Sequence, residues 1–279
     1  MAVHDDAEPT RVSRRALALG VSSIDAANFC GEEQQMDTRR TLDGLTALVT
    51  GATSGIGRAV AEEFGRLGAE VIVHGRDIIQ ADHVVHTIIA EGGRARFLVA
   101  HLENACEVQG LARASDPVDV LVNNAGAFEY VPTEELDVAS FDRLFATNVR
   151  APYVLVAALA PKMTARGSGT IINVGSMAGQ IGLADGAAYG ASKAALESLT
   201  RSWAAELSPR GVRVNAVATG PVYTAIQDDD QTEAIGATTL MDRAAEAREI
   251  ANVIAFLASP KASYVTGATW AVDGRRSAI

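Results

Sequence analysis

Cysteine is nearly absent: Cys30 and Cys106 are the only two in 279 residues. Two thiols make no disulfide framework, and a reducing compartment, the cytoplasm, is the expected setting. Long apolar runs are missing too. None reaches the roughly 18 residues needed to span a bilayer, so no membrane partner is expected. Basic charge is in deficit, with 24 Lys and Arg against 34 Asp and Glu for a net charge of −10, and no basic stripe occurs. That balance argues against nucleic acid as a partner. Metal-ligand clusters are lacking as well: His83 and His86 stand alone on a predicted helix and are read as an exposed polar face.

What is present is apolar and alternating. Apolar residues make up 48% of the chain, enough to fill a sheet covered on both faces. Short apolar runs predict strands at Thr46–Thr50, Glu70–His74, Arg96–Ala100, Val118–Val122, Thr170–Val174, Arg213–Ala218 and Thr269–Val272. Helical patterns fall between them, for example Arg58–Leu67, Ile78–Glu91, Phe141–Met163 and Ala188–Leu207. Such alternation implies right-handed crossovers and a single α/β domain over 41–279: a Rossmann-type, doubly wound parallel sheet of about seven strands with helices on both faces. A ligand then sits at the carboxyl ends of the strands.

Two motifs carry chemistry. The first strand runs into Gly51-Ala-Thr-Ser-Gly55-Ile-Gly57 and a helical segment. Strand, glycine-rich turn and helix open a dinucleotide-binding unit, where the backbone approaches a pyrophosphate and the helix N-terminus offers unpaired N–H groups. Further on, Tyr189 and Lys193 stand four apart and share a helix face, with Ser176 and Asn148 upstream. A phenol titrates near about 10, and a cation beside it that lowered this by three pH units would supply roughly 4 kcal/mol. A tyrosine–lysine pair of this kind suits proton exchange between a carbonyl and an alcohol.

From about Leu42 to Gly274 the chain resembles the short-chain dehydrogenases/reductases, through Thr50-Gly-Ala-Thr-Ser-Gly-Ile-Gly57, Asn123-Asn-Ala-Gly126, Asn148, Ser176, Tyr189 and Lys193. The spacings from Asn148 to Ser176 and on to Tyr189 resemble the bacterial 3-oxoacyl-carrier-protein reductase branch. The resemblance implies Asn148, Ser176, Tyr189 and Lys193 as the catalytic group. It implies Gly51, Thr53, Ser54, Gly55, Ile56, Gly57, Leu102, Asn124, Ala125, Gly126, Val222 and Thr224 around the cofactor, together with Tyr189 and Lys193. Asn148 would anchor a water leading to Lys193, which would hold the nicotinamide ribose, and Thr224 the carboxamide. A homotetramer is implied, with the helix Ala188–Leu207 and the C-terminal segment at the contacts.

Cofactor choice falls at the end of the second strand, Val71-Ile-Val-His-Gly75-Arg76-Asp77. An acidic residue there would hold the ribose diol; the chain has Gly75, then Arg76, whose guanidinium forks onto phosphate oxygens. NADP(H) is expected, ahead of NAD(H). In the other reading Arg76 is solvated and Asp77 faces the ribose. Departures from the family pattern are His101 where Asp is usual, Thr219-Gly220-Pro221 for the common Pro-Gly, and Gly274-Arg275-Arg276 for a double glycine.

The remaining segments are less patterned. Residues 1–40 read as an irregular extension. Ser13-Arg-Arg resembles a twin-arginine export signal, but Ser22, Ser23 and Asp25 break the apolar stretch that follows; a flexible tail, or a start at Met36, is the expectation. Leu17–Ile24 could form a short docking helix. The loop 222–240 reads as a short substrate loop over an open pocket, its Asp228, Asp229, Asp230 and Glu233 forming a solvated acidic lid. The expected activity is NADP(H)-dependent interconversion of a small-molecule carbonyl and alcohol. Alternatives are a 3-oxoacyl thioester reductase of fatty-acid or polyketide synthesis and, in another class, a non-catalytic dinucleotide-binding regulator.

Overall fold

The computed structural model describes residues 40–224 and 228–278. The readings placed on residues 1–39, including Cys30, the twin-arginine motif, Leu17–Ile24 and Met36, lie outside the described residues.

Seven strands form one parallel sheet: β1 Thr46–Val49, β2 Glu70–Gly75, β3 Arg94–Val99, β4 Val120–Asn123, β5 Gly169–Ser176, β6 Val212–Thr219 and, after two short strands, β9 Thr269–Val272. Their order is β3-β2-β1-β4-β5-β6-β9, every pair parallel. The seven predicted strands are these seven, with ends displaced by a few residues. The two short strands, β7 Val222–Tyr223 and β8 Ala245–Glu246, pair with each other.

The helices are α1 Gly55–Arg66, α2 Ile78–Ala90, α3 Ala105–Ser115, α4 Val138–Phe145, α5 Ala151–Ala165, α6 Ala187–Leu207, α7 Asp229–Gly236 and α8 Ala247–Ala258. Because side chains alternate along a strand, the sheet feeds two cores. Val49, Val71 and Val73 pack with Val60 and Phe64 of α1, Val84 and Ile88 of α2 and Ile250 and Ile254 of α8. Leu48 and Ile72 point the other way, into a core with Leu111 of α3, Leu155 and Leu159 of α5 and Leu196 and Trp203 of α6.

Two expectations need correction. The helix predicted over Phe141–Met163 starts at Val138 and is interrupted by a π turn, Ala146–Arg150. Val138–Ala165 is also long and apolar enough to cross a membrane by those measures alone, with 28 residues and an 18-residue window of mean hydropathy 1.3. It is apolar because it lies on the sheet: 56% of its most apolar window is buried within the fold. The acidic residues of loop 222–240, Asp228, Asp229, Asp230 and Glu233, are all exposed. Asp228 caps α7 by accepting from the N–H groups of Asp230 and Gln231, and Asp229 and Asp230 lie in the first turn, where negative charge complements the helix dipole.

Candidate active site

The strand order reverses between β1 and β4, so their carboxyl ends diverge and leave a crevice. A cleft of about 510 Å³ opens there. It is lined by every residue the sequence assigns to the cofactor, from Gly51 through Arg76 and Leu102 to Val222 and Thr224, and by Ser176, Tyr189 and Lys193.

Its cradle is held by bonds between segments distant in sequence. The Thr50 hydroxyl accepts from the N–H groups of Asn124 and Ala125, both at 3.0 Å. Asn124 Nδ2 donates back to the carbonyls of Thr50 (2.9 Å) and Gly51 (3.0 Å). Gly57 lies against this brace so closely that a Cβ would stand 2.1 Å from Gly51 O. Asn123, first in the same motif, faces away and donates to Asn173 Oδ1 at 2.9 Å inside the sheet. The first asparagine is structural, the second builds the cradle.

His74 is a part of the cradle that motif reading missed. Gly51 N–H donates to its Nδ1 at 3.2 Å, so the proton sits on Nε2, which donates to Ala100 O at 3.2 Å. One neutral imidazole therefore ties the ends of β1, β2 and β3. Burial holds its pKa at about 4. With a folded value below the unfolded one, His74 favours the native state fully above about pH 6.5, and that contribution is lost as pH falls through about 4. The gap between about 6.5 and about 4 corresponds to about 3 kcal/mol. Urea unfolding from pH 7 to pH 4 is expected to show this decline in wild type and a flatter profile in His74→Asn.

At the β2 end, a Cβ on Gly75 would stand 2.3 Å from Thr53 Cγ2. An acidic residue has no room there unless Thr53 moves. Arg76 is exposed and lines the cleft. Asp77 instead caps α2, its Oδ1 accepting from Ile79 N (2.9 Å) and Gln80 N (3.2 Å). In the other reading this same Asp77 faces the ribose; the cap engages one of its two carboxylate oxygens. His101 lines the cleft beside Leu102 and Glu103. His86 is paired with Asp82 on its own helix, and no cluster of three metal-ligating side chains occurs among the described residues.

At the other end stand the proton-transfer candidates. The buried stripe of α6 is unusual in carrying Ser192, Lys193, Glu197 and Thr200 among apolar residues. Buried polar groups need partners, and each has one. Lys193 Nζ donates to Val174 O at 3.0 Å and lies 5.7 Å from the centroid of the Tyr189 ring. The Ser192 hydroxyl donates to Tyr189 O and accepts from Asn148 Nδ2. Asn148 sits in the π turn and exchanges hydrogen bonds with both backbone groups of Ala127, each at 2.8 Å. It stands behind the cleft wall rather than in it. Ser176 and Tyr189 line the same cleft.

The expected depression of the phenol by the cation is not what this geometry produces. Burial raises Tyr189 above its ordinary value, with the Ser176 hydrogen bond only opposing it, and burial lowers Lys193 to about 8. Desolvation dominates because both charged forms are withdrawn from water. Tyr130, also missed, packs its ring on Tyr189 with centroids 5.5 Å apart.

Comparison with known proteins agrees with this geometry. Residues 51–274 match a family model described as enoyl-(acyl carrier protein) reductase. The galactitol 2-dehydrogenase (L-tagatose-forming) of Cereibacter sphaeroides is 40% identical over 241 residues, 84% of this chain and 95% of that protein. A solved short-chain dehydrogenase/reductase family protein is 46% identical with a TM-score of 0.80, covering 86% of this chain and all of the other. The NADP-bound structure of a 3-oxoacyl (acyl-carrier-protein) reductase from Agrobacterium tumefaciens C58 has a TM-score of 0.82 at 32% identity, covering 87% and 98%. With this fold, this cleft and these relatives, the chain belongs to the short-chain dehydrogenase/reductase family of oxidoreductases.

Proposed function

We propose that the protein interconverts a small-molecule carbonyl and an alcohol with NADP(H), using Tyr189 as general acid and base. The observation that carries this reading is the grouping of Ser176, Tyr189 and buried Lys193 on the wall of a cleft that also holds the glycine cradle. The cradle fits a dinucleotide: Gly57 leaves the room a side chain would fill, and the start of α1 faces the cleft. When bound, the cofactor supplies or takes the hydride. The protein's own groups do the rest. Ser176 donates to the substrate oxygen and holds it beside Tyr189. Tyr189, kept protonated by burial, gives its proton to that oxygen in reduction and recovers it in oxidation. Lys193 supplies positive charge under the phenol, and Asn148 fixes the wall at Ala127. NADPH consumption over a panel of ketones and aldehydes tests the reading; no turnover with any of them defeats it.

A second reading, reduction of a 3-oxoacyl thioester, is supported by the similarity to the NADP-bound 3-oxoacyl (acyl-carrier-protein) reductase. Inclusion of an acyl thioester in the panel separates the two.

Selection of NADP(H) rests on Gly75 and Arg76. Arg76→Ala is expected to weaken NADPH binding by about 1.5–3 kcal/mol, the worth of a charged hydrogen bond, and to leave NADH nearly unchanged. Equal losses in fluorescence titrations with the two cofactors would make Arg76 structural.

A homotetramer is the proposed assembly. On α5 and α6, Tyr153 is exposed and packs on Trp203, and Ala191 is exposed. Tyr264, at the start of the C-terminal segment, is also exposed. Symmetric closed assemblies are the common way to cover such surfaces. Light scattering at micromolar concentration is expected to give four times the mass of the chain; a monomer refutes the assembly.

A further inference from the structure

The buried face of α6 carries a carboxylate that the proton transfer does not use. Glu197 lies one helical turn beyond Lys193 and is 6% exposed. Both of its carboxylate oxygens accept from Gln180 Nε2, each at 3.3 Å. On its other side, a Cβ on Gly175 would stand 3.3 Å from Glu197 Oε1, so the carboxylate lies against the residue just before Ser176. Gln180 is the residue that ends the 3-10 turn Met177–Gly179 just after Ser176. Within that turn Gly179 lies on the helix itself, where a Cβ would stand 2.9 Å from Ala194 N. One carboxylate therefore meets the chain on both sides of Ser176. Burial raises its pKa, against the opposing Gln180 hydrogen bond and the Arg201 charge, so its placement costs desolvation that an apolar residue would not incur.

We propose that Glu197, acting through Gln180, is a positioning residue that clamps the Ser176 turn to α6 and sets the Ser176 hydroxyl against the Tyr189 phenol. The two hydroxyls belong to different elements, Ser176 ending β5 and Tyr189 in the first turn of α6. Their spacing is not set by either element alone. Groups that act on one reacting atom must be held within about 0.5 Å of the productive geometry, and the clamp spans the joint where that tolerance would be lost. The kinetic part of this inference rests on the proposed carbonyl–alcohol chemistry; the structural part does not.

The test uses Glu197→Gln, Glu197→Ala, Gln180→Ala and the Glu197→Ala/Gln180→Ala double variant of the full chain. Hydrogen exchange of residues 175–181 needs no substrate and is expected to quicken in both alanine variants, with the rest of the chain unchanged. The same variants are expected to lose about ten- to a hundredfold in kcat, the scale of a misplacement of about 1 Å, while NADPH binding by fluorescence titration is kept. The double variant should be no worse than either single one, since both remove the same contact. Glu197→Gln keeps the length of the side chain and an acceptor for the Gln180 amide, and should recover most of the turnover. Unchanged exchange in Glu197→Ala, full turnover in that variant, losses that add in the double variant, or a Glu197→Gln as poor as the alanine variant would each overturn the clamp. Quickened exchange in a protein whose wild type consumes no NADPH would leave the clamp standing and defeat the proposed chemistry instead.

Discussion

Tyr189→Phe is expected to lower kcat by about 10²–10⁴-fold, the range lost with a general acid, while NADPH binding stays nearly intact. The substitution removes one hydroxyl and little else. The ring keeps its packing on Tyr130, at 5.5 Å between centroids, and Lys193 keeps its bond to Val174 O. What disappears is the phenolic proton that the proposed chemistry transfers. Stopped-flow or steady-state turnover at saturating substrate, beside a fluorescence titration with NADPH, separates chemistry from binding. More than about a tenth of wild-type turnover would remove Tyr189 from its role, because loss of acid–base catalysis exceeds that margin.

The second large effect is expected at Gly57, at the opposite end of the same cleft. A methyl group there would stand 2.1 Å from Gly51 O and 2.4 Å from Asn124 Nδ2. These two atoms form one hydrogen bond of the cradle, at 3.0 Å. Gly57→Ala therefore forces backbone apart rather than displacing a flexible side-chain end. Overpacking of this kind costs about 1–3 kcal/mol of stability. The shifted turn should also weaken NADPH binding by more than about tenfold, or about 1.4 kcal/mol. Gly110→Ala is the control: Gly110 lies within α3, and a Cβ there meets nothing within 4 Å. It is expected to be stabilising by about 0.5–1 kcal/mol, the usual gain of alanine over glycine inside a helix, with cofactor binding unchanged. Wild-type NADPH affinity in Gly57→Ala would mean that the cradle does not bind the cofactor where the motif places it.

The sheet was legible because its signals are local. Runs such as Ala47–Val49 and Val71–Val73 are buried on both faces of a parallel sheet, and their apolar continuity survives in the sequence. The π turn at Ala146–Arg150 was not legible. It accompanies the bonds of Asn148 to Ala127, a partner 21 residues earlier that no helical periodicity records. The same holds for His74, whose two partners lie 23 and 26 residues away, and for Thr50 with Asn124, 74 residues apart. Asp77 and Asp228 illustrate the opposite difficulty. Each reads as a charge available to a ligand or a lid, and each is taken up by the helix that begins beside it.

The amino-acid sequence by itself determined the alternation of strand and helix, the glycine turn that follows the first strand, and the four-residue step from Tyr189 to Lys193. These depend only on spacing along one segment. The tertiary structure decided what those groups are like once assembled. It set the phenol of Tyr189 above its ordinary pKa and the ammonium of Lys193 down to about 8. It set Gly75 against the methyl of Thr53, and it placed Glu197 against Gly175 and Gln180, on either side of Ser176. The physical reason is common to all of these: desolvation and close contact are properties of the surroundings, and the surroundings of each residue are built from parts of the chain far from it in sequence.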